Sequence, residues 1–179
     1  VVTSDHGWNM GEKDYLFKNA LWEESTRVPL IIRAPGVAEP GGVVEHPVSL
    51  IDLYPTLVDL CGLEGDTRKN QLGAPLDGHS VRPFLVDPKG GTWDGPNAAL
   101  TMVHANEEAV TRLSPAQYSD PAFQHWSIRT QRWRYIRYNN GSEELYDHDS
   151  DPHEWTNLAN RRQLAPQKAQ LKKQLTELL

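Results

Sequence analysis

Apolar and polar positions change period several times along the chain, and each change marks an element. Val1 and Val2, followed by Thr3-Ser4-Asp5, read as the end of a strand and the turn leaving it. Val28 to Arg33 is a near-continuous apolar run, Val-Pro-Leu-Ile-Ile-Arg. It predicts a parallel strand covered on both faces, with Pro29 tolerated at its start and Ala34-Pro35-Gly36 ending it. Residues 37 to 47 are a Gly/Pro-rich loop. From Asp52 to Gly62 the spacing turns helical, with Leu53, Leu57 and Leu60 on one face. Asp52 suits the N-cap, Pro55 the first turn and Gly62 the C′ position. Cys61 is expected to pack as a small side chain. Residues 64 to 97 hold many turn formers around a short helix, Val81 to Leu85.

A strand is expected over 98 to 104, then a polar surface excursion from Ala105 to Phe123. His125 to Tyr138 has the composition of two strands joined near Thr130 to Arg132, with the Arg residues on a solvated face. Asn139-Asn140-Gly141 is a hairpin turn, and Glu144 to Asp147 a third strand. Pro166 to Leu179 predicts an amphipathic helix with Leu171, Leu175, Leu178 and Leu179 as its stripe. The class is α/β: part of a sheet-and-helix domain over 1–104, then a subdomain over 105–179 with a small antiparallel sheet and a terminal helix.

Composition narrows the function. The chain has 179 residues and a net charge of −6, which argues against a general nucleic-acid binder. An anionic substrate held by a few local cations stays compatible. No apolar run approaches the roughly 18 residues of a membrane span. The single cysteine allows neither an internal disulfide nor a CxxC site. The chain opens at the end of a strand without Met or a signal pattern, so further residues are expected before Val1.

In open parallel sheets ligands bind beyond the carboxyl ends of strands, which is where Asp5 and His6 fall. An adjacent carboxylate and imidazole can reach one cation; alternatively Asp5 caps a turn beside a surface histidine. Lys18, among Trp8, Tyr15, Phe17 and Trp22, either lies along apolar surface or aims a point charge at an oxyanion. Arg27 reads as a strand-end charge before a second cation.

Ser4-Asp5-His6-Gly7-Trp8, Gly11-Glu12, Lys18 and Thr26 to Ile31 together resemble the second half of a type I sulfatase, nearest to the iduronate-2-sulfatase-like branch. The likeness continues through Ser49 to Leu57, Leu76 to Ser80, Ser127 to Thr130, Tyr135, Glu144 to Asp147 and Asp151-Pro152. It implies an alkaline-phosphatase-like fold, Asp5 and His6 at a calcium site, and Lys18 as a catalytic and substrate-binding contact to the sulfate. It also implies a formylglycine nucleophile made from a Cys/Ser-x-Pro-x-Arg motif, and a secreted or periplasmic location. That motif does not occur in this chain, where Cys61 is followed by Gly62-Leu63-Glu64-Gly65. The nucleophile and the remaining calcium ligands are therefore expected in an N-terminal half of the same enzyme, and this chain alone is expected to be inactive. The implied substrate is a sulfate ester of a small molecule or glycan, with His125 and Arg129 as further candidates for substrate binding.

Two rivals stand. A phosphodiesterase or phosphonate hydrolase of the same superfamily would need later histidine ligands, for which His46, His79 and His104 are candidates. A non-catalytic sulfated-glycan-binding module would use the aromatic and Arg content of 125 to 138.

Overall fold

The computed structural model describes residues 1–64, 68, 70, 72–104 and 120–179. The chain forms two compact units: Val1–Val2 with Leu30–Asn97, and Thr3–Pro29 with Ala98–Leu179. Most of the expected surface excursion, residues 105–119, lies outside the described residues.

β1 (Val2–Thr3) and β2 (Leu30–Ile31) form a two-stranded sheet. β2 is shorter than its apolar run predicts, and Ile31 is 61 % exposed rather than covered. A sheet of two short strands leaves its faces open. The helix α2 (Leu53–Leu60) is preceded by a 3₁₀ turn over Leu50–Asp52. Asp52 does not cap α2 with its side chain. Its buried carboxylate instead accepts from Ser49 N at 2.7 Å and His79 N at 2.9 Å. The inward residue of α2 is Thr56, whose hydroxyl donates to the Asp52 carbonyl and accepts from Val81 N. Leu57 points out, against the expected leucine face. Gly62, at φ 61°, closes the helix: Leu63 N bonds Val58 O and Gly62 N bonds Asp59 O. The turn carries Cys61 outward, so it is exposed and not the packing residue expected. A short helix, α3 (Arg82–Val86), follows.

The second unit contains α1 (Glu23–Thr26) and a four-stranded antiparallel meander of β3 (Ala99–His104), β4 (Gln124–Arg129), β5 (Trp133–Arg137) and β6 (Glu143–Asp147). The helix α4 (Ala165–Leu178) ends it. The register places Ile128, Tyr135 and Leu145 side by side on one face, packed by Leu171 and Leu175 of α4. On the other face Ser127 pairs with Ile136, and Arg134 with Tyr146; Leu21 and Trp22 cover this side. Both faces are thus covered. That overturns the expected solvated arginine face: Arg134 is 1 % exposed.

Candidate functional site

The site is built where the chain leaves β1. Ser4 Oγ donates to the His6 carbonyl at 2.9 Å, and Asp5 Oδ1 accepts from His6 N at 3.1 Å, which fixes a tight turn. His6 Nδ1 lies 2.7 Å from the Gly7 carbonyl. A carbonyl only accepts, so Nδ1 carries the proton and Nε2 is the acceptor. Lys18 Nζ lies 2.9 Å from Nε2 and donates to it. Asp5 Oδ2 lies 3.5 Å from the same nitrogen.

Backbone pairing brings Lys18 back across this interval. Gly7 N and Trp8 N bond Ser25 O and Glu24 O, both at 2.8 Å; Asn9 N then bonds Phe17 O at 3.0 Å and Gly11 N bonds Tyr15 O at 3.2 Å. Only glycine fits at position 7, because a Cβ there would sit 2.0 Å from the Glu24 carbonyl oxygen. Trp8 and Phe17 meet edge to face at 5.4 Å. Asn9 is fully buried and accepts from the Ser25 hydroxyl, while its Nδ2 has no hydrogen-bond partner.

The donor set bears on which cation would suit it. The Asp5 side chain is 85 % exposed. Its carboxylate fits an oxygen ligand of a hard cation, one of the roughly six to eight that calcium takes. His6 fits less well, because its free lone pair already accepts from an ammonium.

Among the described residues, one group of three has metal-ligand spacing: Glu23, His148 and Glu154, with candidate atoms within 4.8 Å of one another. It is an ion network instead. Arg134 donates to Glu154 Oε1 and Glu23 Oε2, and also to Leu21 O and Ser127 Oγ at 2.9 Å each. Arg129 donates to Glu23 Oε2 at 3.1 Å and to His148 Nδ1 at 2.9 Å, leaving His148 Nε2 to donate to Glu154 at 2.9 Å. Burial pushes both carboxyls up, yet both lie below the usual range. Arg134 and Arg129 bring Glu23 down; the His148 hydrogen bond and Arg134 bring Glu154 down. Two guanidiniums balance two carboxylates, and a divalent cation would compete with both.

The structure brings Asp5, His6 and Lys18 together as a group. Arg129 and His125 bond elsewhere. Arg129 is engaged by Glu23, His148 and the Thr130 carbonyl. His125 Nδ1 accepts from Asn139 N at 3.1 Å, and its ring lines a small cavity with Tyr15, Asn19 and Tyr138. Burial lowers its pKa. Arg27 has an 80 % exposed side chain, as expected of a strand-end charge. His46 pairs with Asn97, His79 with Asp94, and His104 with Gln124. Sequence reasoning missed Glu23, Arg134, His148 and Glu154. The available signal was Arg134 itself, a charge lying between Trp133 and Tyr135 in a strand otherwise fit for burial.

Residues 11–179 match the family described as N-sulphoglucosamine sulphohydrolase, C-terminal. A sulfatase from Formosa agariphila is 31 % identical over 160 residues, covering 89 % of this chain and 26 % of that protein. Arylsulfatase K from Xenopus laevis is 30 % identical over 174 residues, covering 95 % and 29 %. The chain therefore spans between a quarter and a third of the length of these relatives. Among solved structures, BT4656 in complex with its substrate D-glucosamine-2-N,6-O-disulfate aligns with TM-score 0.76 and 29 % identity, over 98 % of this chain and 32 % of that one. The phosphonate monoester hydrolase of Agrobacterium radiobacter aligns with TM-score 0.73 and 32 % identity, over 98 % and 34 %. Together with the antiparallel sheet and terminal helix, these matches show that the chain belongs to the C-terminal domain family of the sulfatases.

Proposed function

We propose that the chain is the C-terminal portion of a sulfuric ester hydrolase, and that Asp5, His6 and Lys18 are its contribution to the sulfate site. The convergence of Lys18 Nζ on His6 Nε2, with Asp5 beside them, carries this reading. The Lys18 ammonium is free to exchange its neutral imidazole acceptor for a sulfate oxygen, which offers full negative charge. His6, held by the Gly7 carbonyl, keeps that ammonium aimed and can take a proton at Nε2. Asp5 would supply one oxygen to calcium. Bound calcium would neutralise charge on the sulfate. The other ligands and the formylglycine nucleophile belong to a preceding part of the enzyme. A sulfated sugar is the favoured substrate class, because the BT4656 structure holds one. His125 is the better-placed candidate for selecting it, since the Arg129 guanidinium is already engaged. The nearest branch, iduronate-2-sulfatase-like, and a secreted or periplasmic location belong to the same proposal. No helix among the described residues is long and apolar enough to cross a membrane.

The test is Lys18→Ala in the protein carrying this chain, assayed on an aryl sulfate. Loss of one preorganised charge donor lowers kcat by about 10²–10³-fold; unchanged turnover would sink the assignment. Phosphonate monoester hydrolysis is the second reading, favoured by the 32 % identity to the Agrobacterium enzyme. Comparing kcat/KM on paired aryl sulfate and aryl phosphonate esters separates the two. The glycan-binding alternative has one arginine fewer to draw on, because Arg134 is 1 % exposed.

A further inference from the structure

The interval from Gly7 to Lys18 has little apolar anchorage of its own. Met10 is 71 % exposed, Leu16 67 % and Phe17 42 %. Its tip also runs against backbone preference, since Lys13 and Asp14 sit at φ 57° and 55°. Non-glycine residues held in that region are strained and persist only where their surroundings fix them. One side chain provides such a fixation. The half-buried Lys13 ammonium donates to Tyr146 Oη at 3.0 Å and to the Glu154 carbonyl. It lies 4.5 Å from the centroid of the Tyr146 ring and 5.1 Å from that of Trp22.

The receiving side is cross-linked by hydrogen bonds. Tyr146 Oη itself donates to Glu144 Oε2 at 2.7 Å, and that carboxylate also accepts from Trp22 Nε1 at 2.8 Å and Tyr138 Oη at 3.0 Å. Glu154 holds Glu23 N at 2.9 Å through its carboxylate, so one residue anchors both Lys13 and the start of α1. Burial pulls the Lys13 pKa down while Glu144, Glu154 and Asp151 oppose the fall.

We infer that Lys13 is a positioning residue for the proposed sulfate site: its ammonium clamps the loop tip onto Tyr146 and Glu154 and thereby holds Lys18 against His6. This rests on the reading of Lys18 as a sulfate contact. A displacement of about 1 Å at a reacting group can cost on the order of 10²-fold in rate.

The experiment compares Lys13→Met, Lys13→Arg and Lys18→Ala in the protein carrying this chain, on an aryl sulfate. Lys13→Met is expected to lower kcat by roughly 10–10²-fold with KM little changed, and to speed exchange of the Asn9 and Gly11 amides. Lys13→Arg restores most of the rate, because a guanidinium also donates and stacks on the two rings. If Lys13→Met lowers only the melting temperature, with kcat unchanged, the clamp is structural and the inference is overturned. Should Lys13→Met fail to fold, Tyr146→Phe carries the test by removing one acceptor: a fall in kcat supports the clamp, and an unchanged kcat overturns it. An active Lys18→Ala variant removes the underlying reading and the inference with it. An inactive Lys18→Ala beside a fully active Lys13→Met overturns the role of Lys13 alone.

Discussion

Glu143 shows how local charge sets acid stability in this chain. Its carboxylate accepts from Lys168 at 2.7 Å, Lys172 at 3.0 Å and Tyr135 at 2.6 Å. Burial pushes the carboxyl up, but these donors dominate and hold it at about 2, against an ordinary value of 4.5. A depressed folded-state pKa contributes stability that is present above the unfolded value and lost as pH falls. The contribution of Glu143 is therefore complete above pH 4.5 and disappears as pH falls towards about 2. The Glu143→Gln variant is expected to be less stable at neutral pH and to lose less on acidification through that window. Urea unfolding of both proteins across the window checks this. Equal slopes would mean that Glu143 titrates alike in the folded and unfolded chains. Asp147, held low by its Arg132 hydrogen bond, supplies part of the remaining slope in both proteins.

Element by element, the C-terminal meander was the most legible part of the chain. Turn chemistry at Asn139-Asn140-Gly141 and aromatic-rich runs on either side locate β4, β5 and β6 within a residue or two. The leucine stripe of α4 was also legible, with Leu171 and Leu175 buried and Leu179 exposed at the frayed end. Alternation does not tell which face is solvated, and here neither is. That is why Arg134 was misplaced: a buried guanidinium becomes tolerable only through Glu23, 111 positions away, and Glu154. Such partners follow from tertiary structure, not from local pattern. The Lys18 to His6 contact, over 12 positions, likewise depends on how the intervening chain folds back, whereas the Asp5-His6 turn is local. Breaking the ion network by Arg134→Met leaves two buried carboxylates without their main counter-charge, and is expected to cost about 3–5 kcal/mol. Replacing Arg134, Glu23 and Glu154 together by apolar or neutral residues of similar volume should cost much less. Chemical denaturation of the single and triple variants measures the difference; a triple variant as unstable as the single one would show that shape, not charge, dominates there.

At the scale of the molecule, the division of labour in the proposed site decides what this chain can do alone. It presents one ammonium, one imidazole and one exposed carboxylate around a single point. None of these is a nucleophile activated towards sulfur. The free thiol in the chain, Cys61, is exposed at the end of α2, in the unit that does not contain Lys18. Part of the positive charge at the meander is held in ion pairs, Arg129 and Arg134 with Glu23. Calcium offered to Asp5 would meet one carboxylate where about six to eight oxygens are needed, so binding should be weak. The isolated chain is accordingly expected to show no metal-dependent hydrolysis of an aryl sulfate above buffer. It should still unfold cooperatively, because the core of the meander and α4 is formed within its own sequence. Circular dichroism establishes the second point before the assay is read, so an inactive sample can be told from an unfolded one. Turnover that needs calcium and disappears in Lys18→Ala would overturn the proposal that the nucleophile lies elsewhere in the enzyme. A folded, inactive chain would support it.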